Sequence, residues 1–373
     1  MDHLSTRGSE GSGGEIYTSQ MSDFDYHLPQ ELIAQTPVEP RDSSRLLVVD
    51  RASRALAHRH FRDIGAYLRP GDLLIANQSR VIPARLSGRR AESGGSVEIL
   101  LLAERADLGA DTWETLVRPG RRLRENARIL IGDEKNPQQL AAEILQRTEA
   151  GGRVVRFTVP QSSQRDLTVR ELIDQLGHMP LPPYIHETLN DPERYQTVYS
   201  RISGSAAAPT AGLHFTPDLL TSLRAQGVQI GFVTLHVGLD TFRPVEEEDF
   251  REHKIHSEEI DLDESTAELI TRTRRSGGRV IAVGTTAVRV LESVASLYDG
   301  QARPYHGSTR LYITPGYRFQ LVDAMITNFH LPRSTLLLLV SAFASKSLME
   351  EVYQEAIRER YRFFSFGDAM LIQ

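Results

Sequence analysis

The sequence predicts an α/β protein with largely parallel strand pairing and a small all-β domain inserted in its first half. Three observations carry this. Apolar strand-like runs alternate with helical segments near both ends of the chain. Between Ala84 and Val159 the helical period disappears, and alternating or β-branched runs recur as ARLSG, SVEILLL, TWETLVR, ARILIG, LAAEIL and RVVRFTV. Gly94-Gly95, Pro119-Gly120, Gly132 and Gly151-Gly152 separate those runs, the pattern of an antiparallel sandwich or barrel. The α/β domain is therefore expected over 21–82 and 160–373, the insert over 83–159, and a disordered leader over 1–20 ahead of Met21.

The elements follow in order. A short helical piece at ELIAQ precedes a strand from Arg45 to Asp50, where LLVV is a brief apolar run bounded by polar residues. Phe61 to Leu68 reads as a helix and Asp72 to Asn77 as a buried strand. After the insert, Thr168 to Leu176 places Val169, Leu172, Ile173 and Leu176 on one helical face. The next helix, Pro217 to Gln226, has a Thr216 cap, proline at its first position and Gly227 at its close. Val228 to Leu235 is a strand. A helix from Ser265 to Ser276 ends at Gly277-Gly278, before a strand from Arg279 to Val283 and a helix from Thr285 to Leu297. A strand at Leu311 to Ile313, a buried strand or helix at Leu337 to Val340 and a helix from Glu350 to Arg360 complete the chain.

Cysteine is absent, which removes disulfides, thiolate nucleophiles and cysteine-ligated metals. The leader lacks the apolar core of a secretory signal. The longest apolar stretch, Leu336 to Ala344, is far shorter than the ~20 residues that span a bilayer. A cytoplasmic protein with no membrane partner is expected. The formal net charge of −6 argues against nucleic acid, but its distribution does not. The segment from Arg80 to Pro160 is net positive and carries a cluster at Arg118, Arg121, Arg122, Arg124 and Arg128. That cluster reads either as a solvated rim or as a phosphate-contacting patch.

Several segments carry chemistry. In VIAVGTTAVRVLE an apolar strand runs into Gly284, Thr285 and Thr286, and a helix follows. Free N–H groups and two hydroxyls at a helix start suit an anion or a polar ligand, with Arg289 one turn further on the same side. The plainer alternative is an ordinary cap at Thr285. No G-x-G-x-x-G follows a strand and no P-loop is present, which argues against Rossmann oxidoreductases, Rossmann-type methyltransferases and P-loop NTPases. PTAGLHF sets Thr210 and His214 around Gly212, TLHVGLDTFRP carries His236, Thr241 and Arg243, and His330 follows Asn328. Three imidazoles at the ends of apolar strands fit a ligand site beyond the carboxyl edge of a sheet. His253, His256 and Glu258 form H-K-I-H-S-E, which reads as a metal pair, as acid–base or hydrogen-bonding groups, or as a surface loop. Arg41 and Asp42 precede a strand and read as an anion partner or as a local salt bridge.

These segments resemble the S-adenosylmethionine:tRNA ribosyltransferase-isomerase family of queuosine biosynthesis. The resemblance runs in order from Phe24 almost to the C-terminus, through DYHLPQELIAQTPVEPRDSSRLLV, GDLLIANQSRVIPARL, LPPYI, RYQTVYS, AAAPTAGLHFT, LHVGLDTFRPV, HKIHSEE, AVGTTAVRVLE and TPGYRFQLVDAMITNFHLPRSTLLLLVSAF. Asp240 stands where that family's pattern has glycine, and His256 where it has methionine. The resemblance implies a barrel-like α/β main domain with an inserted small antiparallel β-barrel. It implies a transferase with S-adenosylmethionine as ribosyl donor and no metal. The acceptor it implies is tRNA carrying 7-aminomethyl-7-deazaguanine at the wobble position, and the products are epoxyqueuosine-tRNA, adenine and methionine. A monomer is expected.

On that resemblance a base must remove the acidic proton beside the sulfonium and a donor must assist adenine departure. His214, His236 and Glu258 are the expected catalytic residues, with His330 a further proton-transfer candidate; which imidazole or carboxylate is the base stays open. Asp42 and Glu258 are placed near the sulfonium. Thr210, Thr241, Thr285 and Thr286 are expected to orient ribose hydroxyls or methionine, and Arg243 or Arg289 to take the methionine carboxylate. Arg41, Gly212, Gly284, Asn328 and His330 complete the cofactor site. Arg118, Arg121, Arg122 and Arg124 are expected to contact tRNA phosphates.

Overall fold

The computed structural model describes residues 19–120, 123–132, 140–148, 151–160, 167–187, 189–238 and 245–373. All but the last two residues of the expected leader lie outside this set, as do Arg121, Arg122, Asp240, Thr241 and Arg243. The first strands are β1 (Arg45–Val49), β2 (Leu56–His60), β3 (Leu73–Asn77) and β4 (Ser79–Val81). The six runs between Ala84 and Val159 become β5 (Arg85–Arg90), β6 (Ser96–Glu104), β7 (Thr112–Arg118), β8 (Arg128–Ile131), β9 (Leu140–Arg147) and β10 (Arg153–Thr158). The remaining strands are β11 (Ile202–Ser205), β12 (Gln229–Leu235), β13 (Glu258–Leu262), β14 (Val280–Val283), β15 (Tyr305–Thr309), β16 (Ala324–Asn328) and β17 (Ala369–Ile372). Six α-helices are described: α1 (Val169–Leu176), α2 (Pro217–Ala225), α3 (Glu264–Arg275), α4 (Thr285–Leu297), α5 (Thr335–Ala344) and α6 (Lys346–Arg358).

Nine strands form the main sheet in the order β15-β13-β12-β3-β14-β16-β17-β1-β2. The centre, β12-β3-β14-β16, is parallel, whereas the two edges pair antiparallel. Beyond β16 the strand β17 runs antiparallel to it and parallel to β1, so the sheet is mixed and not parallel throughout. Central strands bury both faces, so their apolar residues split by parity. Leu73, Ile75 and Ala282 enter the core beneath α3, α4, α5 and α6. Leu74, Ala76, Ile281 and Val283 enter the opposite core with Phe61, Ile64 and the α2 leucines.

Strands β5 to β10 close into an antiparallel barrel. Helix α1 lies beyond residue 160, yet Val169, Leu172 and Ile173 pack into the barrel's core rather than against the main sheet. Its apolar face was legible; its partner depends on tertiary position.

One element differs from expectation, and one that was open between strand and helix is decided. Leu311–Ile313 is not a strand; β15 ends at Thr309, whose Oγ1 accepts from Leu311 N at 3.0 Å and turns the chain away. The run at Leu337–Val340 is helical, because Ser334 caps α5 by accepting from Leu337 N at 3.2 Å. Helix α4 is further fixed by Glu292. This fully buried carboxylate accepts from Gln320 N (2.9 Å), Leu321 N and Val322 N (3.0 Å each) and Tyr317 Oη (3.1 Å). Glu292→Gln replaces an acceptor with a donor against three backbone N–H groups. It is expected to cost about 2–3 kcal/mol, read from urea unfolding.

Candidate active site

Four parallel strands end side by side, and polar residues close or follow each: His236 after β12, Asn77 in β3, Gly284 after β14 and Asn328 in β16. Neighbouring strands stand ~4.8 Å apart, which sets His236 and Gly284 about 10 Å apart along the edge. Antiparallel β13 begins at this same edge and brings Glu258 beside His236, whose N–H donates to Glu259 O at 3.1 Å. Asn77 locks the edge by donating to Leu235 O at 2.9 Å and accepting from Leu235 N at 3.1 Å.

A cavity of about 250 Å³ opens at the end of β12. His236, Glu258, Arg289 and Tyr312 line it from the main domain, Leu102, Glu104 and Glu114 from the barrel, and Arg170 from α1. The site therefore sits between the two domains. Arg289 and Glu258 form a buried ion pair in which Nη1 donates to Oε2. Arg289 Nε also donates to Leu311 O at 3.3 Å, and Glu258 Oε1 accepts from Gly238 N at 3.2 Å. Among the described residues Arg289 Nη2 is buried with no hydrogen-bond partner. Burial pulls this guanidinium down to about 10.

His236 is half-buried. Burial holds its imidazole below the ordinary value, with Glu259 opposing, so the ring is neutral at pH 7. Its Nδ1 is buried without a partner. The ring lies on Gly204, where an added Cβ would stand 2.9 Å from His236 Cε1 and where φ is +142°. Glycine is required there both for space and for backbone.

A second cavity of about 70 Å³ adjoins the first, with Leu336 in both walls. Thr210, Gly284, Thr285, Thr286, Asn328 and His330 line it. Gly284, not Thr285, is the N-cap of α4; its φ is +88° and its N–H donates to Ile326 O at 2.8 Å. Among the described residues no side chain caps this helix, and its first N–H groups have no intrahelical acceptor. Thr286 Oγ1 is also buried without a partner. His330 shares a 2.8 Å hydrogen bond between Nε2 and Thr327 Oγ1, and burial drops its imidazole to about 3.

His214 and Arg41 line a separate crevice of about 20 Å³ that shares Ser365 with the second cavity, and Asn328 of that cavity neighbours the His214 ring. The His214 ring stacks on Phe61 at 5.0 Å and its Nδ1 pairs with Ser44 Oγ at 2.7 Å. Burial pulls it down to about 4, and the neighbouring Asn328 amide opposes that shift only in part. Arg41 donates to the carbonyls of Gln196 (2.8 Å) and Glu193 (2.9 Å). Asp42 accepts from Thr216 Oγ1 at 3.3 Å. A Cβ on Gly212 would stand 2.1 Å from Tyr199 Oη, so this glycine permits close packing. These four residues hold the scaffold behind the edge. Arg118 and Arg124 are exposed on the barrel, and Arg124 borders a shallow hollow with Arg147 and Arg153. Among the described residues no group of three or more His, Asp or Glu could hold a metal ion, and no helix is long and apolar enough to cross a membrane.

Tyr312 and the pairing of Glu247 with His253 were not legible beforehand. Tyr312 lies in a segment without regular structure, and Glu247 is six residues from its partner in what reads as an acidic run.

Comparison with known proteins gives the site a family context. The profile of a family described as "Queuosine biosynthesis protein" matches residues 21–372. The S-adenosylmethionine:tRNA ribosyltransferase-isomerase of Symbiobacterium thermophilum is 57% identical over 353 residues, covering 95% of this chain and 99% of that protein. The protein of the same name from Heliobacterium modesticaldum is 54% identical over 351 residues, covering 94% and 98%. The crystal structure of an S-adenosylmethionine tRNA ribosyltransferase from Thermotoga maritima matches with a TM-score of 0.53 and 43% identity, over 94% of this chain and 100% of that one.

The two buried imidazoles set an acid limit on stability. His214 and His330 titrate near 4 and near 3 in the fold against 6.5 in the unfolded chain. Below pH 6.5 the unfolded state binds more protons, so stability is full above that value and falls as pH drops towards 4 and then 3. Urea midpoints measured from pH 7 to pH 4 are expected to fall, and His330→Gln to flatten the fall.

Proposed function

We propose, from the premise that this chain belongs to the queuosine biosynthesis protein family, that it acts on 7-aminomethyl-7-deazaguanine at the wobble position of tRNA. The chain is an S-adenosylmethionine:tRNA ribosyltransferase-isomerase, a transferase. In the proposed reaction the ribosyl group of S-adenosylmethionine passes to the aminomethyl nitrogen and rearranges to an epoxycyclopentanediol. The products are epoxyqueuosine-tRNA, adenine and methionine. The enzyme works as a cytoplasmic monomer.

One observation carries the residue assignments: His236, Glu258 and Arg289 come from three separate segments and meet on one cavity that the barrel walls off. His236 is the base. A neutral imidazole with an unpartnered Nδ1 takes the proton from the carbon beside the sulfonium. Glu258, fixed by Arg289 and by Gly238 N, presents its carboxylate to the sulfonium. Arg289 Nη2 takes the methionine carboxylate, which satisfies the one donor of that guanidinium without a partner. Thr285, Thr286 and the first N–H groups of α4 take ribose oxygens in the adjoining cavity. The acceptor base enters from the barrel side, flipped out of the anticodon loop, while Arg118 and Arg124 meet phosphates.

Incubation with S-adenosylmethionine and acceptor tRNA, followed by mass spectrometry of the nucleoside, is expected to give epoxyqueuosine and free adenine. S-adenosylhomocysteine with a methylated nucleoside would overturn the assignment in favour of methyl transfer. His236→Ala is expected to slow adenine release by about 10²–10⁴-fold. His214→Ala is expected to lower stability and leave the rate per folded molecule close to wild type.

A further inference from the structure

We propose that His253, oriented by Glu247, is a second proton-transfer residue of this site and gives its proton to the departing adenine. The inference rests on the ribosyl transfer proposed above. His253 lines the same cavity as His236, Glu258 and Arg289. Its Nδ1 stands 2.9 Å from Glu247 Oε2, and Glu247 is not in the cavity wall. The carboxylate thus sits behind the ring. A ring that donates Nδ1–H to a carboxylate keeps Nε2 for substrate, and the carboxylate stabilises the imidazolium whenever the ring is charged. The hydrogen bond from His253 holds the Glu247 carboxyl below the usual range, so it is ionised at neutral pH.

The surroundings fix this pair in place. His253 N donates to Phe250 O at 3.3 Å, at the close of a short turn that Asp249 caps by accepting from Arg251 N at 3.0 Å. Glu248 ties the same segment to the rest of the molecule, accepting from Ser22 N and Arg333 Nη2 at 2.9 Å each. The acidic run is therefore a scaffold for one imidazole. The His253 ring meets Tyr312 edge-on at 5.8 Å, and that phenol oxygen is buried without a partner. The charged and titratable groups facing His253 are Glu247 on its own segment and Tyr312 on the loop after β15. Across the cavity stand His236 after β12, His256, Glu258 and Glu259 around the start of β13, Arg289 on α4, Glu104 and Glu114 on the barrel and Arg170 on α1.

His236 and His253 thus face one cavity in opposite settings. His236 is half-buried and, among the described residues, has no carboxylate hydrogen bond, whereas His253 is backed by one. The ring that donates Nδ1–H to a carboxylate is set to give a proton from Nε2, and the ring with an unpartnered nitrogen to take one. The glycosidic C–N bond breaks with its electron pair going to adenine, and the His253 Nε2 proton passes to a purine ring nitrogen. His253 ends neutral, and His236 holds the proton taken from the carbon beside the sulfonium. Glu247 is a positioning residue.

Single-turnover adenine release, followed for wild type, His253→Gln, Glu247→Gln and Glu247→Asp, tests this, with cofactor affinity and thermal midpoint measured alongside. His253→Gln is expected to slow release by about 10²–10⁴-fold with cofactor affinity unchanged. Glu247→Gln is expected to lose less, in the rate of release and not in cofactor affinity, and Glu247→Asp to recover part of that loss, because a carboxylate again backs the ring. Folded His253→Gln within about threefold of wild type, or Glu247→Gln and Glu247→Asp equal in rate, would overturn the proposal. Should His253→Gln fail to fold, the Glu247→Gln and Glu247→Asp pair decides alone. A wild-type protein that releases no adenine from cofactor and acceptor tRNA would overturn the parent reaction, and this step with it.

Discussion

The Arg289–Glu258 ion pair has left water on both sides, with relative exposures of 7% and 8%. Moving two charges out of water costs several kcal/mol per ion, and only close geometry with further hydrogen bonds offsets that cost. Here the further bonds exist. Glu258 holds Gly238 N, and Arg289 holds Leu311 O, so one pair joins the chain after β12, the start of β13, the second turn of α4 and the loop that carries Tyr312. These are the walls of the larger cavity. A well-packed apolar pair of similar volume would serve stability at least as well, so the charges point to a task beyond holding the fold. The unpartnered Nη2 is where that task shows.

Much of the architecture was legible because it is set locally. Helix α4 follows from an apolar strand, a glycine and a 3.6-residue apolar period, and its bounds match the reading at Thr285 and Leu297. The six barrel strands match the six runs between glycine and proline breaks. What local spacing did not settle was which surfaces meet. Helix α1 displayed an apolar face without naming the barrel as its partner. The run at Leu337–Val340 is so uniformly apolar that neither period could be read from it, and the Ser334 cap decides for helix.

The site was legible as a set of residue types and not as a constellation. His236, Gly284 and His330 reach the carboxyl edge as their strand-end positions suggested, and Glu258, Thr286 and Arg289 join them from the start of β13 and from α4. His214 sits behind them: its Nδ1 pairs with Ser44 Oγ and its ring stacks on Phe61, which no motif around Gly212 reveals. Arg41 spends its donors on backbone carbonyls. His253 was singled out without its partner: Glu247 was hidden because a carboxylate in an acidic run looks like a solvated face until the ring it supports is seen to turn inward. Sequence marks the groups able to do chemistry; parallel strand order and the barrel wall decide which of them share a cavity.

The barrel gives this edge a reason to lie where it does. Without Glu104, Glu114 and Leu102 the end of β12 would be open to water, and the field of the Arg289–Glu258 pair would be screened. With them, the same groups act in a partly dry space between a cofactor side and an acceptor side. A crystal structure with S-adenosylmethionine bound tests this most directly. The expected result is a sulfonium beside Glu258 with its neighbouring carbon facing His236, and a methionine carboxylate on Arg289 Nη2. A cofactor bound instead in the groove of about 540 Å³ between Asp23–His27 and α6, with the cavity around His236 empty, would contradict it.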